Sequence, residues 1–417
     1  MALPGYAVLI VIMRIRSFQG LRPTPESVSR VVSLPYDVVS TEEARQLAAD
    51  NPLSMLHVVR AEIDFPEGTD PYSDAVYAKA VVNFQNLQQE GHLIRESSPC
   101  MYVYQQEWGD HVQQGIVALS HVDDYDHGRI KKHEKTRVAK ENDRTRLTSE
   151  MNANAGPVFL TYREVPELTS LMRDASALNP LYDLTTDDGI RHTVWHIADS
   201  AAVTALFEKI PCTYVADGHH RAASAARVGR ERREANDSHT GEEDYNWFLT
   251  VLFPGNQLKI LPYNRLVSDL RNLTPAALME RISAVAEVIP AKNGEPQSVG
   301  EVRFYLGGKW HSIQLVPEDD ADPVSKLDVS MLQERILEPI LGIDDPRTSD
   351  RIDFVGGIRG TQYLQKQVDT GKAAIAFSVY PVSVEQLMAI ADAKQIMAPK
   401  STWFEPKLRS GFFIHTF

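Results

Sequence analysis

The chain has 417 residues, of which 43% are hydrophobic and 24% charged, and this composition excludes a disordered or fibrous protein. Its formal net charge of −13 repels a polyanion, so we expect no nucleic-acid partner. Its two cysteines, Cys100 and Cys212, are too few for a disulfide framework or a cysteine-rich zinc site, which favours a reducing, cytoplasmic location.

An apolar run at residues 6–13 precedes Arg14 and Arg16. A membrane-spanning helix needs about 20 apolar residues. A signal peptide has its positive charges before the apolar run rather than after it. We therefore expect no membrane association. The run predicts a first β-strand, with Met13 as an alternative start of the protein.

The next section predicts short alternating elements. Ser40 or Thr41 is expected to cap a helix that runs to residue 50, where Asn51-Pro52 stops it. The other predicted elements are a strand at 54–60, a helix at 72–90 with apolar residues at helical spacing, and strands at 101–108 and 114–122.

Residues 127–146 are almost free of apolar side chains and carry eight Lys and Arg. Such a stretch is usually a solvated helix or loop. Because a buried-looking strand at 158–162 follows it, we also consider that it folds as a lid against a functional site.

The remaining predicted elements keep alternating. They are strands at 193–197 and 212–216, helices at 201–207 and 219–233, a strand pair at 247–253 and 259–266, a helix at 275–288, a hairpin at 302–315, helices at 329–341, 361–368 and 384–393, and strands at 352–355 and 373–380. This order predicts an α/β or α+β protein with mixed sheets. Acidic and proline-rich residues near 295–300 or 317–323 mark the expected boundary, and we divide the chain into regions 14–295 and 300–417.

The sharpest chemical signal is Asp217-Gly218-His219-His220-Arg221, between an apolar strand and a helix. The N-terminus of a helix attracts anions through its free N–H groups and its dipole. His219, His220 and Arg221 add donors for phosphate oxygens, and Asp217 is a candidate base or Mg²⁺ ligand. The alternative is that Asp217 only caps the helix and both histidines are surface residues.

Two further segments offer charged side chains. His133 and Glu134 precede Lys140 and Arg144, a combination that suits phosphate recognition with Glu134 as a second candidate base. Near the C-terminus, aromatic residues surround Lys400 and Lys407, which are candidates to reach a site from a final pair of strands.

His192 and His196 have the spacing of a helical metal pair. The residues between them predict a strand, which disfavours zinc binding by this pair.

Several of these motifs together resemble one family, the domain-of-unknown-function family 1015 (DUF1015) of bacteria and archaea. The resemblance spans about residues 14–415. Its motifs are Arg22-Pro23, Pro35-Tyr36-Asp37-Val38, Asn51-Pro52, His133-Glu134-Lys135-Thr136 with Asp143-Arg144, Ala216-Asp217-Gly218-His219-His220-Arg221 and Pro399-Lys400-Ser401-Thr402-Trp403-Phe404. The segment at 212–226 is also similar to one in ParB/sulfiredoxin-like free-serine kinases, where the corresponding helix start binds nucleotide phosphates.

This resemblance implies a ParB/sulfiredoxin-like nucleotide-binding core and a phosphotransferase that uses ATP or ADP with Mg²⁺. The expected acceptor is free serine or another small hydroxyl metabolite. Catalysis is assigned to Asp217, His219, His220 and Glu134; nucleotide binding to Gly218, Arg221, His133, Lys140, Arg144 and Lys400; and acceptor binding to Tyr36 and Asp37. The alternative is a ParB-like regulator that binds nucleotide without turning over a metabolite.

Overall fold

The computed structural model describes residues 12–417, which form two compact units. Unit 1 contains residues 12–132, Thr136–Leu258 and Pro406–Phe417, and unit 2 contains His133–Lys135 and Lys259–Glu405. This division differs from the one expected at 295–300, because that segment is a loop leading into a strand of unit 2. The strand predicted for residues 6–13 lies almost entirely outside the described residues.

Unit 1 is built on a mixed sheet. The strands of unit 1 include β1 (Ile15–Arg16), β2 (Leu21–Pro23), β3 (Leu93–Arg95), β4 (Met101–Trp108), β5 (His111–His121), β6 (Ile130–Lys131), β7 (Ala153–Asn154), β8 (Val158–Tyr162), β9 (Tyr182–Thr185), β10 (Arg191–Ile197), β11 (Thr213–Asp217) and β12 (Trp247–Pro254). The large sheet has the order β6-β11-β8-β12-β5-β4-β10-β9, and β1 also pairs with β5. The pairs β11–β6 and β12–β8 are parallel and the other pairs of this sheet are antiparallel, so the expected mixed α/β class is confirmed.

The helices of unit 1 bury two apolar cores. They are α1 (Val28–Val31), α2 (Thr41–Ala48), α3 (Leu56–Val59), α4 (Asp74–Gln89), α5 (Val122–Asp126), α6 (Val138–Met151), α7 (Pro166–Ser176), α8 (Ser200–Phe207) and α9 (His219–Glu234). One core joins the large sheet to α7, α8 and α9 through residues such as Leu160 and Phe207. The second joins α1–α4 to α6, with Phe84 and Leu147 among its members.

Unit 2 has its own antiparallel sheet, ordered β15-β17-β16-β19-β14-β18, and a separate β13–β20 pair. Its strands are β13 (Lys259–Leu261), β14 (Tyr263–Val267), β15 (Ile289–Pro290), β16 (Glu301–Leu306), β17 (Lys309–Gln314), β18 (Ile352–Gly356), β19 (Ile375–Val379) and β20 (Trp403–Glu405). Its helices are α10 (Pro275–Ser283), α11 (Asp328–Leu332), α12 (Gly360–Asp369) and α13 (Val384–Asp392). Across residues 12–417, no helix combines the length and the hydrophobicity needed to cross a bilayer.

Two predictions of local structure are wrong. The strand predicted at 54–60 is replaced by helix α3 (Leu56–Val59), in which Leu56, Val58 and Val59 are all buried in the core that α4 also enters. A short apolar run does not by itself distinguish a strand from a buried helix. The pair predicted at 247–253 and 259–266 does not form either, since β12 pairs with β5 and β8.

The polar run at 127–146 becomes β6 and most of α6. Helix α6 is not simply solvated, because Asp143, Thr145, Leu147 and Met151 along it are buried. Although its sequence is mostly polar, α6 therefore has one face buried in the interior of unit 1.

Candidate functional site

The turn between β11 and α9 positions the central residues. Asp217 ends β11, and Gly218 caps α9 with a left-handed φ of 91°. This backbone conformation favours glycine, and a Cβ atom here would also make a tight contact of 3.1 Å with Nε of Arg221. Gly218 offers no side chain to cap the helix, and the first-turn N–H groups of α9 are the donors that an anion would use.

Two cations face the Asp217 carboxylate. Its Oδ2 lies 3.5 Å from Nζ of Lys407 and 3.9 Å from a terminal nitrogen of Arg221. Burial alone would raise the pKa of Asp217, but Lys407 and Arg221 reverse that effect and hold the pKa below its ordinary value. Asp217 is therefore ionised at neutral pH and is a weak proton acceptor.

Lys407 reaches this position on the C-terminal segment Pro406–Phe417, which packs in unit 1. The backbone oxygen of Lys407 accepts a hydrogen bond of 2.9 Å from the side chain of Gln106, whose own oxygen accepts one of 2.9 Å from Gln113. Sequence reasoning considered Lys407 but missed both glutamines. The signal in the sequence is a glutamine in each of strands β4 and β5, where apolar residues are expected. In the structure both amides are fully buried.

Arg221 is nearly buried, with 11% of its side chain exposed. Its Nη1 donates a hydrogen bond of 2.6 Å to the backbone oxygen of Pro157. Its Nε is buried and has no hydrogen-bond partner among the described residues. A buried donor without an acceptor is costly, so this N–H is suited to an oxygen of a bound ligand.

Arg144 of α6 supplies a second nearly buried guanidinium, with 12% of its side chain exposed. It donates hydrogen bonds of 3.0 and 2.8 Å to one carboxylate oxygen of Asp143 and one of 3.1 Å to the backbone oxygen of Val59. The other oxygen of Asp143 accepts a bond of 2.9 Å from the Tyr77 hydroxyl. The guanidinium carbon lies 4.1 Å from the ring centre of Tyr36.

Arg144, Arg221 and Tyr36 line one cavity of unit 1, together with Gly156 and Ser410. The cavity has a volume of about 40 Å³, which is room for a few water-sized groups. Two guanidinium groups in one cavity are a combination that suits an anionic ligand. Because Arg144 and Tyr36 come from motifs far apart in the chain, the structure joins three of the predicted segments here.

Four further predicted residues of unit 1 do not line this cavity, and these are Asp37, Lys140, His219 and His220. Asp37 is exposed, and the Nε2 atom of His220 accepts a bond of 3.0 Å from the backbone N–H of Arg137. Burial lowers the pKa of His220, with Asp37 acting in the opposite sense. The amino group of Lys140 lies 5.9 Å from the ring centre of Tyr72. His219, the first residue of α9, is buried.

The other predicted residues belong to unit 2. The backbone oxygen of His133 accepts a bond of 2.8 Å from Met397, and Glu134 follows it in the segment His133–Lys135. Lys400 has a left-handed φ of 61° and donates a bond of 3.3 Å to the Tyr263 hydroxyl. A role for His133, Glu134 and Lys400 at the cavity stays a prediction.

A family model described as "Protein of unknown function (DUF1015)" matches residues 15–330 of the chain. A search of curated proteins gives no match. Several solved structures give low-identity matches. A conserved hypothetical protein from Pyrococcus furiosus is 14% identical with a TM-score of 0.35, covering 71% of this chain and 94% of that one. A free serine kinase in complex with AMP is 12% identical with a TM-score of 0.38, covering 71% and 91%. SbnI with a C-terminal truncation, from Staphylococcus aureus, is 10% identical with a TM-score of 0.37, covering 70% and 85%.

The ion pairs of Asp217 predict a pH-dependent contribution to stability. The pKa is about 2 in the folded chain, below the ordinary value of 3.8. The charged carboxylate therefore stabilises the fold above pH 4, and this contribution falls as the pH drops through the folded pKa. We expect the free energy of unfolding of the wild type to exceed that of Asp217→Asn by about 1–2 kcal/mol at pH 7. At pH 3 the difference should fall to about half of that value.

Urea unfolding at several pH values measures this difference. Asp237→Asn is the matched control, because Asp237 is exposed, and its free energy of unfolding should match that of the wild type at every pH. The ion-pair assignment would be contradicted if the difference in free energy of unfolding between the wild type and Asp217→Asn were the same at pH 7 and at pH 3.

Proposed function

The chain belongs to the DUF1015 family, and we propose that it is a nucleotide-dependent phosphotransferase that phosphorylates a small hydroxyl metabolite. The observation that carries this proposal is the buried Nε of Arg221, which has no acceptor among the described residues and lies beside a second guanidinium in the same cavity. Arg221 belongs to the first turn of α9, a helix start that carries no side-chain cap.

A phosphate group is the ligand that this arrangement suits best. Arg221 offers an unused N–H, Arg144 offers a planar cation, and the first turn of α9 offers backbone donors. Asp143 balances the charge of Arg144, whereas Asp217 is shared between Arg221 and Lys407. The site as a whole therefore carries more positive than negative charge, as a polyphosphate requires.

The chain's own residues are assigned complementary roles in transfer. Arg221 and Lys407 stabilise charge on the phosphate oxygens, and Asp217 orients the acceptor hydroxyl and receives its proton late in the reaction. The lowered pKa of Asp217 fits this role, since phosphoryl transfer depends mainly on position and charge neutralisation. His219 and His220 are proposed to assist at the phosphates, with Glu134 as the second candidate base.

A carboxylate oxygen is a donor that Mg²⁺ prefers, so Asp217 is also the candidate residue to hold that ion. Bound with the nucleotide, Mg²⁺ would neutralise charge on the transferred group. In the structure Lys407 and Arg221 already compensate the charge of Asp217.

The remaining assignments follow from position and from the family motifs. Tyr36 lines the cavity and Asp37 is its chain neighbour, so both are proposed to hold the acceptor. Burial and the Asp37 carboxylate raise the pKa of Tyr36, which keeps its hydroxyl protonated as a hydrogen-bond donor. Lys140, Lys400 and His133 are proposed as further phosphate contacts, and a cytoplasmic location remains a prediction.

Asp217→Asn tests the catalytic assignment. The substitution keeps size and removes charge, so we expect the rate of phosphoryl transfer to fall by about 10²-fold or more while nucleotide still binds. Transfer of label from γ-labelled ATP, with Mg²⁺ and a panel of hydroxyl metabolites, measures this rate. L-serine is the first acceptor to test, because the motif at 217–221 resembles that of free-serine kinases.

Asp237→Asn serves as the matched control and should keep full activity. An active Asp217→Asn variant would contradict the assignment. Nucleotide binding by the wild type without any labelled product would favour the regulator instead.

Arg221→Lys tests the phosphate contact. A lysine keeps the charge but loses the planar set of donors, so we expect nucleotide affinity to fall by about tenfold. Arg227→Lys is the control on the same helix, because Arg227 does not line the cavity and pairs with Glu231. Calorimetric titration with ADP measures the affinity of each variant. The role of Arg221 would be contradicted if Arg221→Lys bound ADP as tightly as the wild type and Arg227→Lys do.

A further inference from the structure

A second cluster of reactive side chains lies in unit 1, at the edge of the large sheet. Glu96 follows β3 and Cys100 precedes β4, so a turn of three residues separates them. Strand β10 runs antiparallel to β4 and places His196 opposite Tyr102. In that register His196 is diagonal to Cys100 on the same face of the sheet.

The three side chains converge closely. One ligand atom from each of Glu96, Cys100 and His196 lies within 4.8 Å of the other two. The Nε2 atom of His196 is 3.0 Å from Oε1 of Glu96. Ligand atoms at about 2.0–2.3 Å from a tetrahedral zinc ion lie about 3.3–3.8 Å apart, so only small side-chain movements are needed to enclose an ion.

We propose that Glu96, Cys100 and His196 bind a divalent transition-metal ion of the zinc class. A thiolate, an imidazole and a carboxylate together form a donor set that suits zinc and not Mg²⁺ or Ca²⁺. The side chain of His196 is 43% exposed, which gives an ion a path from solvent. Three protein ligands leave a fourth position for water.

The surroundings of Glu96 support this assignment. Arg22 donates a hydrogen bond of 2.5 Å and Tyr102 one of 3.1 Å to Oε1, which fixes the carboxylate as a supporting shell does in metal sites. Oε2 accepts from none of the described residues, so it is the oxygen available to the ion. Arg22 and the metal would then share one carboxylate through its two different oxygens.

The metal would replace the direct contact between His196 and Glu96. The alternative is an ion-pair network of Arg22, Glu96 and His196 in which Cys100 takes no part. The two arrangements differ in whether the Cys100 sulfur becomes a metal ligand, and this difference is directly observable.

Cobalt(II) is the probe, because a Co²⁺ ion bound by a thiolate gives an intense sulfur-to-metal charge-transfer absorption. Titration of the reduced, metal-free full-length protein should give this band at one equivalent per chain, and Zn²⁺ should remove it. Cys100→Ser should lose the band, and His196→Ala should weaken Co²⁺ binding by at least tenfold.

The chain contains its own matched control. Cys212→Ser removes the other cysteine and should keep both the band and the affinity. His196→Ala changes an exposed side chain, so it reports on binding even if Cys100→Ser fails to fold. Absence of the band in the wild type, its persistence in Cys100→Ser, or unchanged affinity in His196→Ala would overturn the proposal.

Discussion

The burial of three cations around the start of α9 is the constraint on which the site depends. Arg144, Arg221 and Lys407 each have no more than 12% of the side chain exposed. Two carboxylates, Asp143 and Asp217, pair with them. Buried charge is tolerated only where it is paired and hydrogen-bonded, so the neighbouring backbone has to supply acceptors.

That requirement explains the position of several elements of unit 1. The end of α3 presents the Val59 oxygen to Arg144, and the segment before β8 presents the Pro157 oxygen to Arg221. Gly156 lies close to Arg221 and to Ser410, where a Cβ would come within 3.1 Å of the serine oxygen. Each cation is held from a different part of the chain, and one donor of Arg221 remains for a ligand.

The C-terminal segment Pro406–Phe417 completes the arrangement. The buried side chain of Arg409 binds Asp188, and Phe412 packs against Tyr104 at a ring distance of 5.3 Å. These contacts and the Gln106 bond to the Lys407 backbone fix the residue that faces Asp217. A carboxylate and a lysine 190 positions apart in sequence are thereby held within 4 Å.

The sequence predicts much of the local structure because local signals are strong there. The Ser40 cap of α2 forms as expected, β8 has the expected bounds, and α9 begins at the expected residue after a glycine. The helix at 56–59 is missed because burial, and not periodicity, decides the structure of a short apolar run.

The partners of the site are harder to predict for a related reason. Nothing near Asp217 in sequence indicates Lys407, and nothing in the polar helix α6 indicates that Arg144 faces inward over Tyr36. The paired glutamines of β4 and β5 were equally unexpected, because their role is to hold a backbone oxygen on a distant segment. Such contacts depend on tertiary packing, which local patterns do not encode.

The most direct test of the account is a structure of the full-length protein bound to Mg²⁺ and a non-hydrolysable ATP analogue. We predict a phosphate oxygen within hydrogen-bond distance of Nε of Arg221, with the phosphates at the first turn of α9. A nucleotide bound elsewhere, with Nε of Arg221 still lacking an acceptor, would contradict it.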